Sequence, residues 1–390
     1  MMADGRKFVT TAPENSETPL DGVRSWVTPN RLFFVRNHFS VPEINLHQWR
    51  LELSGLVSNP RQWTYEELCD KPERSVFATV ECAGNGRSFL QEKVAGVQWG
   101  AGAIGHCEWT GVPLRVLLEE CGLRPEVTEV LFQGADCGSE SDHPEPMNFA
   151  RSLPIEKAMH PDTLLALRMN GDTLEPIHGF PVRLFVPGWY GVASVKWLTN
   201  MTAIDHAFRG YFQSKKYTYK QRTANGLETV VVGPMRVKSE IIRPAMDEAL
   251  GVGTNRIFGV AWAGEEPVAS VEVSTDGGRS WHPAQLIGPR AAYSWTMWEY
   301  LWEIATPGEY SLLARATSWS GQVQPSSYDP LYSSYLIHFS RPRRVRVGMA
   351  GRPAPLGDPA AYLYDMNAYA EENKRLPLDA ELEFAIGAGI

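Results

Sequence analysis

The sequence predicts an α+β protein in two folded parts. A mixed domain of short strands and helices spans residues 20–235, a β-sandwich spans 236–345, and a C-terminal extension covers 346–390. Three observations predict this. In the first part, short β-branched and aromatic runs are interspersed with short helical patterns, without a sustained βαβ repeat. After Pro234, alternating strands are closed by turn signals such as Asp276-Gly277-Gly278 and Thr306-Pro307-Gly308, at the spacing of a sandwich of about 100 residues. A length of 390 residues favours two or three domains over one.

Taken in order, residues 1–25 read as a polar arm, and Arg31 to His38 as an aromatic strand ending in polar groups. Trp49 to Val57 alternates as a half-buried strand does. Thr64 and Glu67 have the spacing of a capping box on a short helix reaching Cys69. Ser75 to Val80 reads as a buried strand, and Gly111 to Gly122 as a helix stopped by its last glycine. Glu129 to Gln133 is a strand running into Asp136, and Leu153 to Met159 a short helix. Leu164 to Met169 is apolar and ends at an Asn170-Gly171 turn. Val182 to Val186 is a strand, Gly188 to Gly191 a loop, and Val195 the start of another strand. Residues 213–240 read as a connector. Val268 to Ser274, Trp295 to Trp302 and Tyr310 to Thr317 are the sandwich strands.

Composition narrows the function. A hydrophobic content of 43% with 21% charged residues is that of a globular protein. A net charge of −8 argues against a nucleic-acid partner, while leaving room for an anionic substrate where arginines gather locally. No run reaches the roughly 18 apolar residues of a membrane span. The first twenty residues carry no apolar signal core, so the expected compartment is the cytoplasm. Five cysteines, with no C-x-x-C pair, argue against a disulfide framework or a structural zinc site. A metal held by cysteine would take one thiolate and find its remaining ligands elsewhere.

The chemistry gathers around Thr79-Val-Glu-Cys82-Ala-Gly84-Asn85-Gly86-Arg87. Glycines around an asparagine let the backbone turn sharply and approach a bound group. A thiol at a strand end, beside an arginine, has the setting that lowers a cysteine pKa, and its thiolate could serve as a nucleophile or a soft metal ligand. Otherwise Cys82 is a small buried cysteine beside a turn. Singly, His38 and His178 read as core histidines, Lys196 as a solvated face and Asp136 as a turn cap. Jointly, Arg36, Asn37, His38, Cys82, Arg87, Asp136, His178, Arg183 and Lys196 form a constellation at strand ends. Its arginines suit a planar or tetrahedral oxyanion, and His178, Arg183, Ser194 and Lys196 suit a phosphate-bearing cofactor.

Four motifs occur in one order: Phe33-Phe-Val-Arg-Asn-His38, Glu81-Cys-Ala-Gly-Asn-Gly-Arg87, His178-Gly-Phe-Pro-Val-Arg183 and Val195-Lys-Trp197. Together they resemble the sulfite oxidase family of molybdenum enzymes, over about residues 20–340. The resemblance implies a molybdopterin-binding catalytic domain followed by an immunoglobulin-like dimerisation domain, hence a homodimer. It implies that the Cys82 sulfur binds molybdenum and that Arg36 and Arg87 line the pocket of a small oxyanion. Phe34, Val35, Arg36, Asn37, His38, Cys82, Asp136, His178, Arg183, Ser194, Val195 and Lys196 would contact the molybdopterin. The implied reaction is oxygen-atom transfer, sulfite to sulfate, with electrons leaving singly. The chain has no C-x-x-C-H haem motif, so the acceptor is expected to be a separate protein or oxygen. Two departures stand out. Phe208 occupies the position of a family tyrosine, and the run Trp295 to Trp298 holds Thr296 but no third pocket arginine, Arg290 being the nearest. They favour, as an alternative, another oxyanion or an S- or N-oxide; a scaffold that kept the fold without the activity is a separate reading, against which stand the retained Cys82 and its two nearby arginines.

Overall fold

The computed structural model describes residues 2–349 except Asp4 and Arg24; of the C-terminal extension, 350–390 lies outside the described residues. The chain divides into two units. Among the described residues, those within Met1–Thr18, Pro29–Met235 and Asp329–Ile337 form the first, and those within Pro19–Thr28, Arg236–Tyr328 and His338–Ile390 form the second. Strands dominate both, and helices are few and short. No helix among the described residues is long and apolar enough to cross a membrane.

Two five-stranded sheets carry the first unit. One runs His143–Pro154, Glu129–Glu140, Leu198–Ile204, Leu51–Gly55 and Arg61–Trp63. The other runs Asp172–Thr173, Leu164–Met169, Ile104–Pro113 and Arg74–Glu81, with Arg183–Phe185 paired to Leu164–Met169. Ile104–Pro113 is buried along its whole length, as a strand covered on both faces must be. The helix Leu114–Cys121 buries Leu114, Leu117, Leu118 and Cys121, the i, i+3, i+4, i+7 face of its sequence, and ends at Gly122 with φ +68°. The helix Tyr65–Cys69 begins at the expected capping box: Thr64 Oγ1 accepts from the Glu67 amide at 3.2 Å, and Glu67 accepts from the Thr64 amide at 2.8 Å.

Four readings from the sequence need correction. The polar arm is a hairpin, Arg6–Thr11 with Glu14–Glu17, extended by Val35–Arg36. Its polar side chains bond within it, Asn15 Nδ2 donating to Thr10 Oγ1 at 2.8 Å, so composition concealed a strand pair. Only Val35–Arg36 of the aromatic run is a strand, after a 3-10 turn at Asn30–Leu32. Residues 195–197 precede the strand Leu198–Ile204 instead of opening it; Trp197 takes φ +49°, and the carbonyls of Ser194 and Val195 bond back to Arg183 and Leu184. The connector contains a π-helical turn, Tyr211–Lys216, and a hairpin, Thr218–Thr223 with Gly226–Val231, whose second strand is almost wholly exposed and so lacks an apolar pattern.

The second unit holds two sheets. One runs Lys238–Arg243, Gly253–Trp262, Thr296–Ile304, Gln285–Ile287; the other Ala249–Gly251, Arg343–Gly348, Gly308–Ser318, Val268–Ser274, His282–Pro283. Inward residues of both, among them Ile257, Trp298 and Trp302 from the first and Val271, Leu312 and Val345 from the second, share one buried cluster, the packing of a two-sheet sandwich.

Candidate active site

The strand Arg74–Glu81 delivers Cys82 into a loop fastened at both ends. The Cys82 amide donates to Ala103 O at 2.9 Å, the Gly86 amide to Gly100 O at 2.7 Å, and Asn85 bridges Glu81 and the Ala103 amide at 3.0 Å each. The two glycines have separate reasons. Gly86 sits at φ +95°, and the Arg87 guanidinium folds back over Gly84, where any Cβ would collide with it.

Two cavities meet at this loop. The inner one has an empty volume of about 700 Å³ including its mouth, and is lined by Phe33, Phe34, Val35, Arg36, Asn37, His38, Cys82, Asp136, His178, Arg183, Ser194 and Lys196, among others. The outer one, about 850 Å³ on the same measure, is lined by Arg87, Val97, Trp99, Glu140, Lys215, Lys216, Ser334 and Tyr335, among others. Arg36, His38, Cys82 and Tyr217 line both. The structure therefore gathers the residues singled out from sequence into one place, with two qualifications. Arg87 belongs to the outer cavity alone, and Val195 is fully buried without lining either.

The inner cavity sets cations beside aromatic walls. Arg183 donates to His178 O at 3.1 Å and Ser194 O at 3.3 Å, and lies 4.8 Å over Trp109. Lys196 bonds Asn37 Oδ1 and Ile177 O and lies 4.1 Å over Trp197. Burial pulls the Arg183 pKa down to about 10, and burial with nearby Arg183 pulls Lys196 well below its usual range. An entering phosphate would oppose both shifts. Burial raises the Asp136 carboxyl to about 6 against the pull of Lys196. The same desolvation, with Lys196 and Arg183 adding to it, drives His178 down to about 3, so its ring is neutral. Two buried donors here, Asn37 Nδ2 and Arg183 Nε, have no protein partner. Asn37 itself is held by Asn15 Oδ1, which accepts the Asn37 amide at 2.9 Å. Orphaned donors, paired cations and aromatic walls fit a phosphorylated pterin.

At the junction, one expectation fails. The Cys82 thiol pKa is raised, not lowered, because burial outweighs Arg36, the Gly84 amide and Arg87. A thiolate at this position needs a cation of its own, which a metal supplies. Among the described residues no three His, Cys, Asp or Glu gather to hold a metal, so one bound at Cys82 would take its other ligands from the group it arrives with. Burial also presses Arg36 toward neutrality, but Tyr217 and Cys82 more than offset it. His38 stacks on Phe149 at 4.7 Å, and burial, then Arg36, keep it neutral. Arg87 already donates to Val97 O at 2.7 Å and to Ser334 O at 3.1 and 3.0 Å, tying two loops across the outer cavity.

Sequence reasoning missed Tyr217, Tyr335 and the lysines of the π-helical turn. Tyr217 Oη lies 2.7 Å from His38 Nε2 and 3.5 Å from Arg36 Nη2. Phe208 lines neither cavity; its amide bonds Glu129 at 3.0 Å. In the second unit, Thr296 is buried and Arg290 exposed. The signal for Tyr217 lay in the run Lys215-Lys216-Tyr217, where two cations abut a phenol in a stretch that composition marked as linker.

Comparison with known proteins places this geometry. Residues 38–212 match the oxidoreductase molybdopterin binding domain, and 230–334 the Mo-co oxidoreductase dimerisation domain. The chain is 33% identical over 353 residues to the sulfite oxidase of Gallus gallus, covering 84% of this chain and 75% of that one. It is 31% identical over 354 residues to that of Arabidopsis thaliana, covering 82% and 88%. Against the mitochondrial sulfite oxidase of Drosophila melanogaster, 32% identical, it spans 60% of the relative's length and 84% of its own. The solved sulfane dehydrogenase SoxCD from Paracoccus pantotrophus superposes with a TM-score of 0.77 at 30% identity, covering 87% of this chain and 88% of that one.

Proposed function

The chain belongs to the sulfite oxidase family of molybdopterin-binding oxidoreductases, and from that premise we propose that it oxidises a small sulfur oxyanion, sulfite to sulfate, at the junction of the two cavities. Its cofactor is molybdenum on molybdopterin. One observation carries the proposal: the Cys82 sulfur lines an inner cavity suited to a phosphorylated pterin and an outer cavity suited to an anion. When bound, the cofactor supplies two-electron oxygen-atom transfer, the chemistry no side chain here provides.

The side chains bind and orient. Arg183, Lys196, His178 and Asn37 hold the pterin and its phosphate, with Phe34, Val35, Asp136, Ser194 and Val195 completing or backing the wall. Cys82 provides a thiolate ligand to the metal. Arg36, with Lys215 and Lys216 further out, lowers the cost of bringing an anion in, although Asp142 offsets part of the lysine charge at 3.5 and 3.3 Å. Arg87 fixes the walls and adds its charge. Water provides the oxygen, and sulfite plus water gives sulfate, two protons and two electrons. The electrons pass to a separate acceptor, a protein or oxygen.

The same proposal assigns the cofactor to residues 20–235 and pairing of two chains to an immunoglobulin-like sandwich over 236–345. The second unit's two-sheet cluster and the match to a dimerisation domain support that division. The lining of the outer cavity, with Arg36 and Arg87 as its arginines, favours as second reading another oxyanion or an S- or N-oxide.

Purified protein is expected to carry about one molybdenum per chain and to reduce an artificial dye when sulfite is added. Cys82→Ser is expected to retain pterin and lose turnover by roughly three orders of magnitude or more, since the changed ligand touches the reacting centre. Molybdenum without sulfite turnover would transfer the assignment to the second reading. Absence of molybdenum after expression in cofactor-competent cells would favour a non-catalytic scaffold.

A further inference from the structure

We propose that Arg151 is a positioning residue for the anion site: from behind the wall of the outer cavity it pins the π-helical turn and sets there a positive charge that no acid cancels. The inference rests on reading the outer cavity as an anion site. In the strand His143–Pro154, Phe149, Arg151 and Leu153 share one buried face, so an arginine stands where the alternation calls for an apolar residue. Arg151 is 1% exposed. Its Nη1 donates to Phe212 O at 2.6 Å and its Nη2 to Val232 O at 2.9 Å, while its Nε finds no acceptor. No carboxylate among the described residues pairs with it; burial lowers its pKa to about 10, so it keeps its charge at neutral pH. Burying a cation without a counter-charge is costly, and two carbonyls with the Tyr217 ring at 5.9 Å offset only part of that cost. Anchoring alone does not call for a charge, since neutral groups already tie the same turn: Gln213 Nε2 donates to Ser152 Oγ at 3.0 Å.

The charge lies where an anion would feel it. Phe212 and Tyr217, the two residues that Arg151 touches on the turn and just beyond it, both line the outer cavity. Its field crosses that wall: after burial, Arg36 and Lys196, Arg151 is the next cause holding His38 neutral. Arg36, Arg87, Lys215 and Lys216 line the cavity, with Glu140 the one acid among the described residues of that lining. A further cation behind the wall raises the potential at the anion without taking up its space.

The test is calorimetric binding of sulfate, the product anion, to oxidised holoenzyme at low ionic strength, in buffer free of other oxyanions. Arg151→Gln is expected to weaken sulfate about 10-fold, the scale of one unit charge acting through a protein wall. Arg151→Lys, which keeps the charge and loses the fork, is expected to melt lower yet bind sulfate within about threefold of the wild type. Gln213→Ala, which loosens the same turn and removes no charge, is expected to do likewise. Equal affinity of Arg151→Gln and wild type would overturn the inference while leaving the proposed function standing. Equal losses in the glutamine and lysine variants, or a 10-fold loss in Gln213→Ala, would reduce Arg151 to a structural tie and overturn it too. Failure of the wild type itself to bind sulfate would overturn the anion site and this inference with it. Should Arg151→Gln not fold, Arg151→Lys decides alone: near wild-type affinity supports the inference, and a 10-fold loss or failure to fold overturns it.

Discussion

Cys82 shows why a neighbouring arginine does not by itself make a reactive thiol. Burial raises its pKa more than Arg36 and Arg87 lower it, so a thiolate here would need further stabilisation, of the kind a bound metal gives. The sequence made the arginines legible but not the desolvation, which depends on what covers the sulfur. The same holds for His178: its motif was readable, while its neutrality follows from burial beside Lys196 and Arg183. This has a measurable consequence. A histidine whose pKa falls on folding from 6.5 to about 3 contributes stability that is complete above the unfolded value and drains away as pH drops below it. In cofactor-free protein, His178 alone is expected to cost about 2 kcal/mol between about pH 7 and pH 5. Urea denaturation at the two pH values checks this: His178→Gln should lose less than the wild type over that interval, and an identical loss would contradict the assignment.

At the scale of elements, loops and turns position the site and regular sheets hold them. Glu81-Cys-Ala-Gly-Asn-Gly-Arg87 was readable as a tight loop because its glycines answer a left-handed φ and a folded-back guanidinium. Gly86→Ala places a Cβ at φ +95° and 3.1 Å from Ile337 Cγ2, and should destabilise the fold by about 1–3 kcal/mol in chemical denaturation. A neutral result would mean that the loop relaxes freely. The N-terminal hairpin and the hairpin over 218–231 were not readable, for opposite reasons. The first buries polar residues that bond to one another, and the second exposes nearly everything. Both reach the candidate site. Asn15, in the first, positions Asn37, and the turn leading into the second carries Tyr217.

For the whole molecule, two units could be anticipated from the change of periodicity after Pro234. The return of Asp329–Ile337 to the first unit could not, because no local pattern records which distant surface a segment joins. That segment brings Ser334 and Tyr335 to the outer cavity, where Arg87 grips the Ser334 carbonyl. In the second unit, Trp319 is 74% exposed and Val323 52% exposed, an apolar pair at one turn. Sedimentation is expected to show two chains per particle, and Trp319→Ser to weaken that association; an unchanged dimer would locate the pairing surface elsewhere. The most direct test of the account is X-ray absorption at the molybdenum edge, on wild type and on Cys82→Ser. The account predicts one fewer sulfur neighbour in the variant, with the metal retained. The same number of sulfurs in both would contradict it.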